Sequence, residues 1–372
     1  MTTPDHDVVI AGAGTAGCAA AAILAPHANV LLVEAEASAK WRIGETLPGA
    51  ARRLLHRIGA WEGFAEAGHA PAPIRVSRWG AARPETLDGF RDPDGMGWRL
   101  DRARFEQDLR RVALAKGAKA RFGAGLSVQG WTRAGWQLRL TDGTLVTARL
   151  LLDATGRQSR LLRPFGQKRL VADQLACVWY LSDHADPAAD PTIYTQSVPH
   201  GWWYTARVGD GRRLVAFHSD ADLPALKHIL HGGVLVAARQ LPELAAMIAD
   251  MPGDGHGMQG LCSAASMARS AAGPGWLALG DATLAFDPLS SQGLFNALAT
   301  GVEAGETVLS ALAGADAKPL WAAYAARIAQ VWQAYERHLR LFYAMERRWP
   351  ESPFWRRRQA ALLVTNAVGS NL

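Results

Sequence analysis

The chain has 372 residues, 49% hydrophobic and 20% charged, enough for about two packed domains and too ordinary a balance for a disordered, collagen-like or coiled-coil protein. Its three cysteines, Cys18, Cys177 and Cys262, are odd in number and far apart, which excludes a disulfide framework or a cysteine zinc site and points to a reducing, cytoplasmic setting. The net charge of +6 is densest in arginine at Arg347, Arg348, Arg356, Arg357 and Arg358 but comes with no nucleic-acid motif, and no apolar run reaches membrane-spanning length.

Val8–Ala11 predicts a buried parallel strand, and it begins too early to leave room for a signal peptide. The glycine turn Gly12–Gly17 follows, then an alanine-rich helix over Cys18–Ala25 that Pro26 ends. Val30–Glu34 predicts a second strand. Gly49–Ile58 reads as a helix, and Leu100–Lys116 as a longer one: Phe105, Leu109, Val112 and Leu114 keep helical spacing and Gly117 stops it. Strands are expected near Leu126–Val128, Trp136–Leu140 and Leu145–Ala148, and the apolar run Leu150–Leu152 leads into Asp153. From about 166 to 255 the pattern alternates, as in Leu175–Leu181, Trp202–Val208 and Arg213–His218, which predicts an antiparallel sheet. The first texture returns near Gly275–Gly280, followed by a helix over Gly293–Leu312 and a long amphipathic helix from Leu320 to Arg348.

Gly12-Ala13-Gly14-Thr15-Ala16-Gly17 fits GxGxxG in its required setting: it follows a strand, opens a helix, and is answered by Glu34 at the end of the next strand. Gly12 makes the turn, Gly14 lets a pyrophosphate approach the backbone, and Gly17 lets helix pack on strand. The N–H groups of the first helical turn, Ala16 included, offer partial positive charge to phosphates. Glu34 suits the hydroxyls of an adenosine ribose and would repel a 2′-phosphate.

Two later motifs select the dinucleotide. Asp153-Ala154-Thr155-Gly156-Arg157 follows one apolar strand; Gly280-Asp281-Ala282 follows another and leads to Asp287-Pro288-Leu289-Ser290-Ser291-Gln292-Gly293. Together these resemble the glutathione-reductase type of FAD domain. The resemblance implies that Asp153 and Gly156 lie at the cofactor and that Gly280 and Asp281 hold the ribityl chain. It also implies that the helix opening at Gly293 and Leu294 faces the flavin. The fold class is therefore α/β: a glutathione-reductase-type Rossmann FAD domain with an inserted antiparallel-sheet substrate domain and a C-terminal helical segment. Residues 1–75, 100–165 and 256–315 are assigned to the FAD domain, 76–99 and 166–255 to the substrate domain, and 316–372 to the helical segment.

Nearly the whole chain is similar to the para-hydroxybenzoate-hydroxylase-like superfamily of hydroxylases, flavin halogenases and geranylgeranyl reductases. Gly44-Glu45-Thr46-Leu47-Pro48 resembles the Gly-Glu-x-x-x-Pro turn of the halogenase side, and Asp101-Arg102-Ala103-Arg104-Phe105 resembles the Asp-Arg-x-x-Phe helix start. By that likeness Arg42 and Arg102 lie near FAD. Gly201-Trp202-Trp203-Tyr204, Ala285–Gly293, and Arg348-Trp349-Pro350 with Phe354–Arg358 are similar to a tryptophan-halogenase-labelled group. That group includes the flavoproteins that mature tryptophan-derived quinone cofactors such as cysteine tryptophylquinone.

Halogenases carry Trp-x-Trp-x-Ile-Pro and a catalytic lysine. Here the first segment reads Trp202-Trp203-Tyr204-Thr205-Ala206-Arg207, and no lysine occurs between Lys40 and Lys116; Arg75 stands near the expected place, and arginine does not deprotonate. The resemblance thus implies an FAD-dependent monooxygenase acting on an electron-rich aromatic, either a small molecule or an indole in a peptide or precursor protein. The alternatives are a halogenase of atypical motif, a geranylgeranyl-reductase-like oxidoreductase, and a flavin-binding assembly factor that docks through its basic C-terminal segment. Trp202, Trp203 and Tyr204 are expected either to wall a dry aromatic pocket or to be core, and Pro288 and Ser290 to flank the isoalloxazine. His200 and His218 are candidate proton carriers, with Asp220 and Asp222 behind them. No second GxGxxG unit is present, so electrons come from NAD(P)H visiting the flavin or from a separate flavin reductase. No metal site is expected.

Overall fold

The computed structural model describes residues 3–132, 134–186, 190–256 and 261–359, so the end of the expected C-terminal segment, 360–372, lies outside the described residues, as does the Cys262 side chain. The chain forms two compact units. The first collects residues up to Gly68, Asp101–Val171 and Ala265–Trp332; the second collects His69–Leu100, Ala172–Ala264 and the chain from Gln333.

In the first unit the strand β1 (His6–Ala11) lies between β2 (Val30–Glu34) and β3 (Leu145–Asp153), parallel to both, with Val9 opposite Leu31 and Leu151. Trp276–Ala278 extends the parallel sheet beside β3, and Lys119–Phe122 extends it beside β2. Burial on both faces explains why these strands read as unbroken apolar runs. Leu126–Thr132 and Gly135–Leu140 add an antiparallel meander to β3. The helix α1 (Thr15–Leu24) packs on α3 (Gly293–Leu312) at glycine separation. A Cβ at Gly301 would sit 2.4 Å from the Ala16 carbonyl oxygen, and one at Gly305 2.9 Å from Ile23 Cβ. The helix α2 (Arg102–Ala115) begins at Asp101, whose carboxylate accepts the Arg104 backbone N–H at 3.1 Å.

The second unit holds a seven-stranded sheet containing β4 (Leu175–Ala185), β5 (Ile193–Val198), β6 (Gly201–Arg207) and β7 (Arg212–Asp220), in the order β4-β7-β6-β5 followed by Ile74–Arg78. The pairing of β5 with Ile74–Arg78 is parallel, where the alternating pattern predicts an all-antiparallel sheet. Three short helices, Pro224–Gly232, Val234–Ala238 and Pro242–Met247, were not expected; too short to be stable alone, they exist by packing on one face of this sheet. The long helix α4 (Ala317–Met345) divides at Trp332/Gln333 between the units, so the segment expected as one appendage from 316 is shared. A last helical turn, 353–359, carries Phe354 and Trp355, both wholly buried.

Candidate functional site

The three sequence motifs converge in the first unit. The Ala154 N–H donates to the Ala11 carbonyl at 2.8 Å, and the Leu279 N–H donates to the Asp153 carbonyl at 2.9 Å. A Cβ at Gly12, where φ is +105°, would meet Ala154 O at 2.3 Å; one at Gly17 would meet Gly12 O at 1.9 Å; one at Gly280, φ +59°, would meet Ala16 Cβ at 2.7 Å. Those glycines permit the convergence itself. Gly14 differs: a Cβ there would meet nothing within 4 Å. The same is true of Gly156 and Gly293. These three leave backbone open where a ligand can approach.

The helix ends match that opening. Neither Gly14 nor Gln292 supplies a side-chain cap to α1 or α3. The first intrahelical bonds run from Cys18 N–H to Gly14 O and from Asn296 N–H to Gln292 O, so the N–H groups of Ala16, Gly17, Gly293 and Leu294 precede the ladder. A diphosphate at one end and an electron-accepting ring at the other fit such N-termini. Glu34 closes β2 with its Oε2 accepting the Ala13 N–H at 2.8 Å and Oε1 the Glu36 N–H at 3.0 Å. Each oxygen keeps a lone pair for a ribose hydroxyl. The residues therefore fit FAD.

Arg110 is a residue that the motif reading missed. It is 2% exposed, donates from Nε to the Ala13 carbonyl at 3.2 Å, and places Nη2 3.9 Å from Glu34. It braces both parts of the nucleotide loop. The signal was present: Arg102, Glu106 and Arg110 recur every four residues on one face of α2. Arg102 itself is buried, donating to the Gly44 carbonyl and, at 2.5 Å, to Glu106. Arg42 is exposed on the loop after β2.

Asp281 sits in the turn after Trp276–Ala278, one-third exposed, with Arg157 Nε at 3.7 Å. Desolvation raises its pKa even though Arg157, Arg169 and Arg102 pull it down. Thr300 of α3 fixes this turn by accepting the Gly280 N–H at 2.8 Å, and Tyr324 donates to the Ala278 carbonyl at 2.8 Å. Asp153 is fully buried, and its carboxylate accepts from Thr155 N–H, Thr155 Oγ1 and Ser159 Oγ, so it shapes the Gly156 turn. Pro288 opens the exposed 3-10 turn Pro288–Ser290, which Asp287 caps through the Leu289 N–H at 2.8 Å.

Strand alternation divides the expected aromatic wall. Trp203 points to the helix-backed face, 3% exposed, with its ring 4.9 Å from Phe217 and packed with Leu226, Val234 and Leu235. It is core. Trp203→Ala is expected to lower unfolding stability by about 3–5 kcal/mol in urea titration; a variant of unchanged stability would contradict that assignment. Trp202 and Tyr204 lie on the opposite face, Tyr204 half-buried against Ala72, Ile193 and Ala206.

The proton-carrier candidates also separate. His218 is 2% exposed and stacked on Trp202 at 3.7 Å with a 3° interplanar angle; burial pushes its pKa down to about 3 against a weaker pull from the Trp202 backbone. It stays neutral near pH 7 and is a packing residue. His200 is exposed in the turn between β5 and β6. Asp220, 2% exposed, accepts from Arg357 at 3.0 Å and Arg358 at 2.7 Å, and Asp222 pairs with Arg357 at 2.7 Å. Both aspartates clasp the C-terminal turn. Among the described residues no cluster of histidine, cysteine, aspartate or glutamate is set to hold a metal, and no helix is long and apolar enough to cross a membrane.

The tryptophan halogenase family profile matches residues 80–368. Over 97% of its length and 99% of the relative's, the chain is 27% identical to LodB of Marinomonas mediterranea, whose name places it among FAD-dependent oxidoreductases. The myxobacterial chondrochloren halogenase CndH superposes with a TM-score of 0.83 at 24% identity, over 99% of this chain and 91% of that one. The peptidyl tryptophan dihydroxylase QhpG, described as essential for tryptophylquinone cofactor biogenesis, superposes with a TM-score of 0.77 at 26% identity, over 96% and 79%. With the nucleotide loop, the open helix ends and the acidic turn assembled in one unit, this chain belongs to the tryptophan halogenase family of FAD-dependent oxidoreductases.

Proposed function

We propose that the chain is a monooxygenase that hydroxylates an electron-rich aromatic ring, the indole of a tryptophan within a peptide or precursor protein. The observation that carries this reading is a missing amine. No lysine stands between Lys40 and Lys116, and Arg75, half-buried on Ile74–Arg78, offers a guanidinium in place of the primary amine that a halogenating N–halogen species needs. The likeness to QhpG supports the choice of substrate.

In this reading Gly12, Gly14, Ala16 and Gly17 receive the pyrophosphate and Glu34 the adenosine ribose. Arg42, Arg102, Asp153 and Gly156 border the nucleotide, Gly280 and Asp281 hold the ribityl chain, and Pro288, Gly293 and Leu294 meet the ring system. Bound FAD, once reduced, supplies the electrons that activate oxygen. NAD(P)H or a separate flavin reductase provides them, in the cytoplasm. The segments 76–99 and 166–255 form the substrate-facing part, with the half-buried Tyr204 on the sheet face opposite the short helices.

A tryptophan-containing precursor incubated with reduced enzyme and oxygen is expected to gain one or two oxygen atoms by mass spectrometry. Unchanged mass in every precursor encoded beside the gene would refute the reading. The family profile favours halogenation as the second reading; a product that requires chloride or bromide would select it.

A further inference from the structure

We infer that the exposed stripe Leu341, Phe342 and Met345, on the C-terminal half of α4, is a docking surface for an acidic polypeptide segment bearing apolar side chains. This inference is independent of the reaction. The three side chains are 61%, 42% and 49% exposed. Met345 follows Leu341 by four residues and Phe342 by three, which puts the three on one side of the helix. Contiguous apolar surface of this kind, with an aromatic ring and a methionine in it, marks interaction sites more often than it occurs by chance.

The stripe is held rigid from beneath. The Phe342 carbonyl accepts the Trp79 indole N–H at 2.8 Å, and its ring lies 5.8 Å from Trp79. Tyr343, the next residue, is 2% exposed and packs on Trp79, Phe354 and Trp355. One face of the Phe342 ring is thus anchored while the ring stays 42% exposed, so binding costs little side-chain ordering.

Charge decides the occupant. Most arginines of this region are matched: Arg340 with Glu336, Arg348 with Glu346, Arg357 with Asp222 and Arg358 with Asp220. Arg337, one turn before Leu341, and Arg347, two residues after Met345, are exposed and have no acceptor among the described residues. Arg356, on the turn packed against Tyr343, is a third. An apolar stripe between unpaired guanidiniums, on a chain of net charge +6, attracts carboxylates and repels basic segments.

The test uses the full-length, FAD-loaded protein and fluorescence anisotropy with a labelled synthetic peptide of leucine and phenylalanine flanked by aspartates. A second peptide carries lysine in place of each aspartate. The acidic peptide is expected to bind, to weaken with salt, and to lose about tenfold or more in affinity to Arg337→Glu/Arg347→Glu and to Leu341→Ser. The lysine peptide is expected not to bind. Arg121→Glu/Arg139→Glu, which changes net charge equally on exposed residues of the other unit, is expected to have little effect. Equal loss in that control would reduce the effect to overall charge and overturn the proposal. So would full binding by Leu341→Ser, or self-association through the stripe that the acidic peptide does not compete away.

Discussion

Gly14→Val is expected to yield a folded but colourless protein. Gly14 has φ −80° and ψ −171°, an extended conformation open to any residue, and a Cβ there meets nothing within 4 Å. Valine therefore costs the apo fold little. It does fill the space through which a pyrophosphate must reach the first turn of α1, whose N–H groups lie before the helical ladder. FAD affinity is expected to fall by about a hundredfold or more, ~3 kcal/mol at about 1.4 kcal/mol per decade. Flavin absorbance after dialysis gives occupancy, and thermal melting without cofactor gives stability. Gly17→Ala is the contrast: its Cβ would stand 1.9 Å from Gly12 O, so it should destabilise the unit whether or not FAD is present. A yellow Gly14→Val protein with full occupancy would mean that the phosphates lie elsewhere.

The difference between these glycines shows what was legible in the sequence. GxGxxG, followed by Glu34 at a strand end, predicts the loop and its ligand because backbone geometry leaves few residue choices there. The later Asp153 and Gly280-Asp281 motifs follow buried strands and could be ordered on the same logic. The role of Asp153 could not be read, because an aspartate that caps its own turn and one that faces a ligand look alike in one dimension. Arg110 was legible only as a helix-face repeat, with no motif to give it meaning. In the second unit the alternation of β6 is visible in the sequence, while Trp202-Trp203-Tyr204 reads there as one aromatic cluster. A period of two sends Trp203 to the core and its neighbours to the other face. The three short helices beneath that sheet gave no signal of their own, since packing and not propensity holds them.

The second large effect concerns Glu346, at the end of the helix that carries the exposed stripe. Its carboxylate is completely buried and accepts five hydrogen bonds. Oε2 receives Gly80 N–H at 3.0 Å, Ser197 Oγ at 2.6 Å and Arg348 Nη2 at 2.5 Å; Oε1 receives Arg348 N–H and Nε, both at 2.9 Å. Burial alone would raise its pKa, but the bonds from Arg348, Ser197 and Gly80 outweigh it and bring the value from 4.5 to about 2. A folded pKa below the unfolded one stabilises the protein above pH 4.5, and that contribution is lost as pH falls toward 2. The full effect is about 3 kcal/mol at about 1.4 kcal/mol per pH unit. Glu346→Gln turns an acceptor into an amide donor facing Arg348 and Ser197, so at neutral pH it is expected to cost about 3–5 kcal/mol. His218, neutral in the fold and protonated on unfolding, also lowers acid stability, but it does so equally in both proteins and cancels from their difference. Urea unfolding at about pH 7 and about pH 3.5 should therefore show the gap between wild type and Glu346→Gln narrowing by about 1.4 kcal/mol. A gap of constant size would mean that the Glu346 carboxylate is not the charged centre of this lock, and that Ser197, Gly80 and Arg348 are held together by packing alone.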